Sequence, residues 1–492
     1  MTERYKRELS ILAGIFAFKV LILWLLPLTG DEAYFIKWAH NPSMGYYDHP
    51  PMVGWVLYAM SFVSDSHLFF RSFAVVTTFV AAFVLYKIAL LYGTERQRAL
   101  YASFLFLASP VDLLLVLMTN DVALLFFSSL GTLFLLYSLE KKEWFGYALL
   151  SGFFLGAAFL SKYFAVFLLF SLLLFSLLTY RAKAIKTVAV VTFIVLLFVA
   201  QNLYFNYNSC WNNILFNFFA RTEDSVYGIS TVLGYFGFLI YIVTPWGLYF
   251  LLKSKFEKTA LLRLLTFILS IAFFVFFVVS LKNNIGLHWF LLFTPYIFLL
   301  FSFIQMERLQ KLFNYNAIFT SLHIIILVTA LLLPTSLLKE HKKYSDIVMY
   351  TQPKSICKSL EIFDDEKIFT LSYSSASLLS HFCKREVNVL FNNSKYGRLD
   401  DKLLDVRELK GRDITLFHKA PIEEKLLTEA CDSFSLEGFE RDGATFYTAT
   451  CKSFNYEFYK KNYLDLQNEK FYSIPSWLPV GACYFKERYY AK

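Results

Sequence analysis

Residues Thr29–Gly54 read TGDEAYFIKWAHNPSMGYYDHPPMVG. The stretch follows an apolar run and opens on two adjacent carboxylates, Asp31 and Glu32. Lys37, Trp38, a Gly45-Tyr46-Tyr47 turn and Asp48-His49-Pro50-Pro51 come after them. Acids, bases, aromatics and turn formers thus gather at the mouth of a segment apolar enough to enter a bilayer. Uncompensated charge beside hydrocarbon is costly, so such a cluster marks a functional site by default.

The rest of the chain agrees with a membrane setting. Of 492 residues 57% are hydrophobic and only 17% charged, with a mean hydropathy of +0.49. That balance excludes an ordinary soluble enzyme and points to a polytopic membrane protein. Phe and Tyr, 56 and 32 of them, fill lipid-facing surface and mark its interfaces. Of the formal charge of +9, all but one unit sits before Thr335, because the remainder holds 24 basic and 23 acidic residues. The excess therefore lies in membrane loops, where it sets topology, and carries no message about nucleic acid.

Apolar runs able to cross about 30 Å of hydrocarbon fall near 9–28, 69–91, 99–118, 121–139, 146–160, 163–179, 187–205, 231–251, 262–281, 286–305 and 316–334. The expectation is an α-helical bundle of about eleven spans. The first run is preceded by basic residues and lacks a small-residue cleavage site, so it reads as an uncleaved helix. Arg4/Lys6/Arg7, Arg96/Arg98, Lys141/Lys142, Arg181/Lys183/Lys186, Lys253/Lys255/Lys258 and Arg308/Lys311 share one side. By the positive-inside rule that side is cytoplasmic. The opposite side holds few basic residues: Lys37, Arg71, Lys162, Arg221 and Lys282. An odd number of spans puts the C-terminus outside the inner membrane.

Residues 1–334 form the membrane domain, with outer loops at 29–68 and 206–230. Residues 335–492 form a soluble periplasmic α/β domain. In the first loop, short interfacial helices would hold Tyr34, Trp38, Trp55 and Tyr58 at headgroup depth. In the tail, Lys367–Tyr373 and Glu386–Phe391 have strand character around a helix at Ser374–Phe382. Cys357, Cys383, Cys431, Cys451 and Cys483 lie in the tail and Cys210 in a polar loop, none at metal-ligand spacing. One or two disulfides, Cys431–Cys451 being the nearest pair, fit as well as free buried thiols.

Ionisable groups recur at one level, the outer interface. Asp31 and Glu32 end the first span, Asp48 and His49 share its loop, and Asp121 marks the turn between the third and fourth spans. Lys162 lies between the fifth and sixth, and Lys282 ends the ninth. Carboxylates there suit a base or a polar substrate, and sparse cations suit a phosphate. Each has a plainer reading: Lys162 and Lys282 as snorkelling lysines, Asp121 as a helix cap. Asp112, inside a span, is left as a partner for a neighbouring helix.

Five motifs in order resemble the GT-C fold glycosyltransferases that use polyprenyl-phosphate sugars. The likeness is to the bacterial branch containing the lipid A aminoarabinose transferases, related to the protein O-mannosyltransferases. They are Gly30-Asp31-Glu32-Ala33-Tyr34, Tyr46-Tyr47-Asp48-His49-Pro50-Pro51, Thr119-Asn120-Asp121, Leu160-Ser161-Lys162-Tyr163 and Lys282…His288-Trp289…Pro295. They cover about the first 300 residues. The resemblance implies Asp31 as the catalytic carboxylate with Glu32 supporting it. It implies Tyr47, Asp48, His49, Asp121, Lys162 and Lys282 around substrate and donor phosphate. His49 departs from the lysine the aminoarabinose transferases place before two prolines, and is only partly charged at neutral pH.

The function expected is inverting transfer of a hexosyl or pentosyl group from a polyprenyl-phosphate carrier to a lipid, glycolipid or protein acceptor, in a bacterial inner membrane. No cofactor, resident metal or nucleic acid is called for. A transporter or flippase of lipid-linked glycans would instead place its charges near the midplane and break helices in paired halves. A polysaccharide ligase would lean on outer-loop residues such as Arg221.

Overall fold

The computed structural model describes residues 5–218, 227–363, 366–392 and 399–491. Arg4 of the basic N-terminus and Arg221 of the second loop lie outside them. The first 332 residues are helical: α1 (Lys6–Leu25), α2 (Gly30–His40), α3 (Met52–Ser61), α4 (His67–Leu91), α5 (Arg96–Leu107), α6 (Asn120–Glu140), α7 (Trp144–Ser161), α8 (Ala165–Tyr180), α9 (Ile185–Tyr207), α10 (Asn212–Phe218), α11 (Ile229–Val243), α12 (Pro245–Leu252), α13 (Ala260–Ser280), α14 (Thr294–Leu300) and α15 (Met306–Leu332). The tail adds α16 (Tyr344–Thr351), α17 (Pro353–Leu360) and α18 (Tyr373–Cys383) among its larger helices.

Every apolar run of the sequence is helical at least in part, but eleven runs do not make eleven single helices. Seven described helices are long and apolar enough to cross a membrane when 165–207 is taken as one, or eight with the pair α11–α12. That pair is bent by 77° where Thr244, at φ 64°, precedes Pro245. The runs at 163–179 and 187–205 are α8 and α9, joined by a 3₁₀ turn at Arg181–Ala184. The run at 99–118 ends as a helix at Leu107 and resumes as a 3₁₀ turn opened by Pro110. Proline has no N–H to continue an α-helix, so apolarity alone overestimates helix length there.

The chain divides into two compact units. The first comprises Met1–Leu26, Phe62–Asn202 and Asp224–Leu331. Its tightest element is the α6–α7 hairpin, in which Ser151 Oγ donates to Gly131 O at 3.0 Å. On α7, Gly152 and Gly156 stand one turn apart, and side chains there would collide with Ile194 and Phe198 of α9. Small residues at this spacing let helix backbones approach where lipid supplies no hydrophobic drive.

Buried charges in this unit are held structurally. Lys19 of α1 meets Asp112 at 2.9 Å and Thr78 at 2.7 Å, so Asp112 does serve a neighbouring helix. Arg71, fully buried, donates to the carbonyls of Leu23 and Leu26 at 2.8 and 2.7 Å. It thereby satisfies the last turn of α1, whose C-terminal carbonyls have no helical partner. Arg71→Met should leave those carbonyls without donors and cost about 1–3 kcal/mol. The check is the melting temperature of the purified protein in detergent; an unchanged value would show that the cap contributes nothing.

The second unit comprises Pro27–Ser61, Leu203–Glu223 and Leu332–Lys492, so both outer loops group with the tail. Its sheet runs β2-β1-β3-β5-β4, formed by β1 (Lys367–Thr370), β2 (Val387–Val389), β3 (Ile414–His418), β4 (Cys431–Arg441) and β5 (Ala444–Phe454). β1 pairs in parallel with β2 and β3, and the β-α-β element through α18 is the one read from sequence. β3 and β4 pair antiparallel with β5. The β4–β5 turn is Asp442-Gly443, at φ 50° and 75°, the left-handed pair that a two-residue hairpin requires. One core contains Phe369, Leu416 and Phe454 of the tail, Tyr47 of the first loop, and Cys210 and Phe216 of the second.

All six cysteines are paired: Cys210–Cys483, Cys357–Cys383 and Cys431–Cys451. The expected nearest pair is present, but the count is three rather than one or two. The first disulfide joins the second loop to the last residues of the tail.

Candidate active site

In the second unit, α2 starts with a capping box. The Glu32 backbone N–H donates to Thr29 Oγ1 at 3.3 Å, and the Thr29 backbone N–H donates to Glu32 Oε2 at 3.2 Å. Glu32 is 2% exposed. Its carboxylate therefore fixes the first turn of α2, a part the sequence reading did not give it. Asp31, beside it, faces outward and accepts a hydrogen bond from the Tyr373 hydroxyl at 2.7 Å.

Tyr373 is the first residue of α18. Burial, then the charge of Asp31 and the hydrogen bond to it, and then the charge of Asp48 push its phenol well above the ordinary tyrosine range. The phenol therefore stays a donor at physiological pH. Tyr34 is raised in the same sense, by burial first and then by Asp48 and Asp400. Asp31 and Asp48 thus both act on one phenol from the tail.

The packing of α2 on α18 makes this possible. A methyl group on Gly30 would collide with Ser374, so only glycine lets the two helix starts meet this closely. Farther along α2, Lys37 pairs with Asp400 at 2.6 Å and donates to Asn388 at 3.1 Å. Trp38 is fully buried and stacks on Tyr46 with centroids 3.9 Å apart. Tyr34, 2% exposed, packs edge-on against Tyr373. Tyr34 and Trp38 were expected at headgroup depth; they face the interior of this unit instead, because that side of α2 is covered by the tail.

The Tyr46–Pro51 loop is held by the second loop. Asn213 Nδ2 donates to the carbonyls of Tyr46 and Tyr47 at 2.8 and 3.2 Å, and Asn217 Nδ2 to that of Asp48 at 2.9 Å. The Tyr46 N–H donates to His49 O at 3.1 Å, closing the turn before Pro50. The Tyr47 ring lies in the core against Phe216 and Phe471, a packing role. His49 is half-buried and its ring centroid lies 6.4 Å from those of Phe35 and Trp38.

In the first unit, Asp121, in the first turn of α6, and Lys162, closing α7, form a buried ion pair at 2.8 Å. Sequence reading singled out both without joining them. Lys282 is exposed after α13, with its Nζ 4.8 Å from the centroid of the Tyr227 ring. Among the described residues, no group of three or more His, Cys, Asp or Glu is arranged to hold a metal ion.

The structure thus brings together Asp121 with Lys162, and Asp31 with a residue that sequence reading missed, Tyr373. No local signal ties Tyr373 to Asp31, since 342 positions separate them. Tyr373→Phe should lower the turnover rate about tenfold, the worth of one hydrogen bond to a charged group, with KM unchanged. An equal rise in KM would instead mark Tyr373 as a substrate contact.

Comparison with known proteins adds to this geometry. Residues 48–205 match the family described as dolichyl-phosphate-mannose-protein mannosyltransferase. A curated relative, the lipid A galacturonosyltransferase RgtD of Rhizobium johnstonii (strain DSM 114642 / LMG 32736 / 3841), is 36% identical over 140 residues. That match spans 28% of this chain and 29% of the relative. Among solved structures, ArnT from Cupriavidus metallidurans bound to undecaprenyl phosphate superposes with a TM-score of 0.63 at 13% identity, over 90% of this chain and 98% of ArnT. Its apo form gives 0.62 at 12% identity, over 90% and 97%. The superpositions show a shared fold, the GT-C fold of a polytopic helical membrane protein with a C-terminal α/β domain.

Proposed function

We propose that this chain is an inverting glycosyltransferase that moves a sugar from a polyprenyl-phosphate carrier to a glycolipid acceptor at the outer face of a bacterial inner membrane. The observation that carries the reading is Asp31, an outward-facing carboxylate at the start of a capped helix, held by Tyr373 at 2.7 Å. Asp31 accepts the proton of the acceptor hydroxyl as its oxygen bonds to the anomeric carbon. The bond from that carbon to the phosphate oxygen breaks, and polyprenyl phosphate leaves with the electron pair. Attack opposite the leaving group inverts the configuration.

Glu32 keeps Asp31 in place through the cap. Asp48 adds negative charge beside Tyr373. His49 is assigned to the donor phosphate, whose growing charge it offsets. The acceptor named for RgtD, lipid A, and the carrier bound to ArnT, undecaprenyl phosphate, support the choice of substrate classes.

Three disulfides in the second unit support an oxidising, extracytoplasmic location for it, in line with the basic loops on the opposite side. The bent α11–α12 pair is the feature that would favour a transporter. Transporters break helices in corresponding places of two halves, and among the described residues there is one such pair.

The test is transfer from a panel of synthetic polyprenyl-phosphate sugars, hexose, hexuronic acid and aminopentose, to a membrane lipid extract. Mass spectrometry should find an acceptor heavier by one donor's sugar, which also separates hexosyl from pentosyl transfer. Absence of transfer from every donor by folded protein would overturn the reading.

A further inference from the structure

Inside the second unit, α2 and α18 touch at their N-terminal ends, Gly30 on Ser374, and a cleft of about 630 Å³ lies beside them. Its lining includes Lys37 and His40 from α2, and Ser377, His381, Lys384 and Arg385 from α18 and its end. Among the described residues, Glu386 is the one carboxylate lining it. The volume suits one or two sugar rings. Three features show it to be built rather than incidental.

Ser377, one of the lining residues, is 2% exposed, and its buried hydroxyl has no hydrogen-bond partner in the protein. A buried hydroxyl left unmade is costly, and a polar ligand would satisfy it. Lys384 sits in the left-handed region at φ 55°, where a glycine would be unstrained. Finally, the end of α18 that carries these cations is anchored to α17 by Cys357–Cys383.

At 1.5 Å per residue along α18, Ser377 lies roughly 6 Å and Lys384 roughly 16 Å beyond Tyr373, which holds Asp31, and on the same face of that helix. That is the span of about one to three sugar rings. The anion end of a saccharide in the cleft would leave a hydroxyl of the same molecule within reach of the carboxylate.

Resting on the glycosyltransferase reading above, we propose that this cleft is the acceptor's anion subsite: it takes the phosphate or carboxylate of a saccharide whose reacting hydroxyl reaches Asp31. Lys384 offsets the ligand's charge, and Ser377 hydrogen-bonds to it.

The test measures binding to the full chain in detergent by calorimetry. The probes are a phosphorylated glucosamine disaccharide, digalacturonic acid and the unphosphorylated glucosamine disaccharide. At least one anionic probe should bind about tenfold or more tightly than the neutral one, as expected for one hydrogen bond between charged groups. The tighter of the two names the group. Lys384→Glu, and Lys384→Glu with His40→Glu, should each weaken it by about tenfold or more while undecaprenyl phosphate binds as before.

Asp31→Asn should bind the anionic probe normally although it transfers sugar about 10³-fold more slowly. Loss of transfer with binding intact therefore separates a failure of the catalytic assignment from a failure of the subsite. Equal affinity for charged and neutral probes, or affinity unmoved by charge reversal at Lys384, would overturn the proposal.

Discussion

Asp31→Asn is expected to lower sugar transfer by about 10³-fold, within the range a general base contributes. The protein should melt as before, because the helix start does not depend on that side chain. The capping box is made by Thr29 and Glu32, and the amide at position 31 still accepts a hydrogen bond from Tyr373. The neighbouring carboxylate supplies the contrast. Glu32→Gln keeps a side-chain acceptor for the cap and should retain most activity, whereas Glu32→Ala should cost about 1 kcal/mol of stability. Near-full transfer by Asp31→Asn in membranes would remove the base from the mechanism. Loss in Glu32→Gln equal to that in Asp31→Asn would move it one residue on.

The second large effect concerns the buried pair Asp121–Lys162. Side chains at 8% and 10% exposure, 2.8 Å apart, carry little net stabilisation as a pair. Removing one partner leaves the other charge uncompensated, at about 3–5 kcal/mol. Asp121→Leu should therefore lower the yield of monodisperse protein and its melting temperature sharply. Asp121→Leu combined with Lys162→Met should recover most of that loss, because both charges then leave together. Thermal unfolding of the two variants side by side is the measurement. A double variant as unstable as the single would show that packing, not charge, sets the cost. If the stable double variant also loses transfer, the pair serves the donor as well as the fold.

What the sequence made legible follows from range. Apolar runs report hydrocarbon length locally, and all of them are helical at least in part. The strand-helix-strand pattern at 367–391 reads directly because periods of two and 3.6 are local properties. The β4–β5 hairpin was equally readable from Asp442-Gly443 between two strand-like segments and was passed over. So was Lys19, a lone cation inside an apolar run that needed a partner such as Asp112.

Other features left no local trace. Tyr373 donates to Asp31 across 342 positions, Cys210 joins Cys483 across 273, and Lys162 meets Asp121 across 41. Composition marks these residues as unusual and cannot say which meets which. The aromatics of the first loop misled for the same reason. A membrane belt and a domain interior both favour Tyr and Trp, and only the covering tail decides between them for Tyr34 and Trp38.

Because Tyr373 and Cys483 emerge so late, the biosynthesis of this chain imposes a delay. At ~5–20 residues per second, about 20 to 70 seconds separate the appearance of Asp31 from that of its phenol partner. Throughout that interval the nascent first loop waits without its covering layer. A message truncated just before Cys483 would lose Cys483, Phe485 and Tyr489 together, stranding Cys210 as a reactive thiol. Such a protein would be fully inserted yet open to proteolysis, a marker that a cell could use to discard unfinished copies.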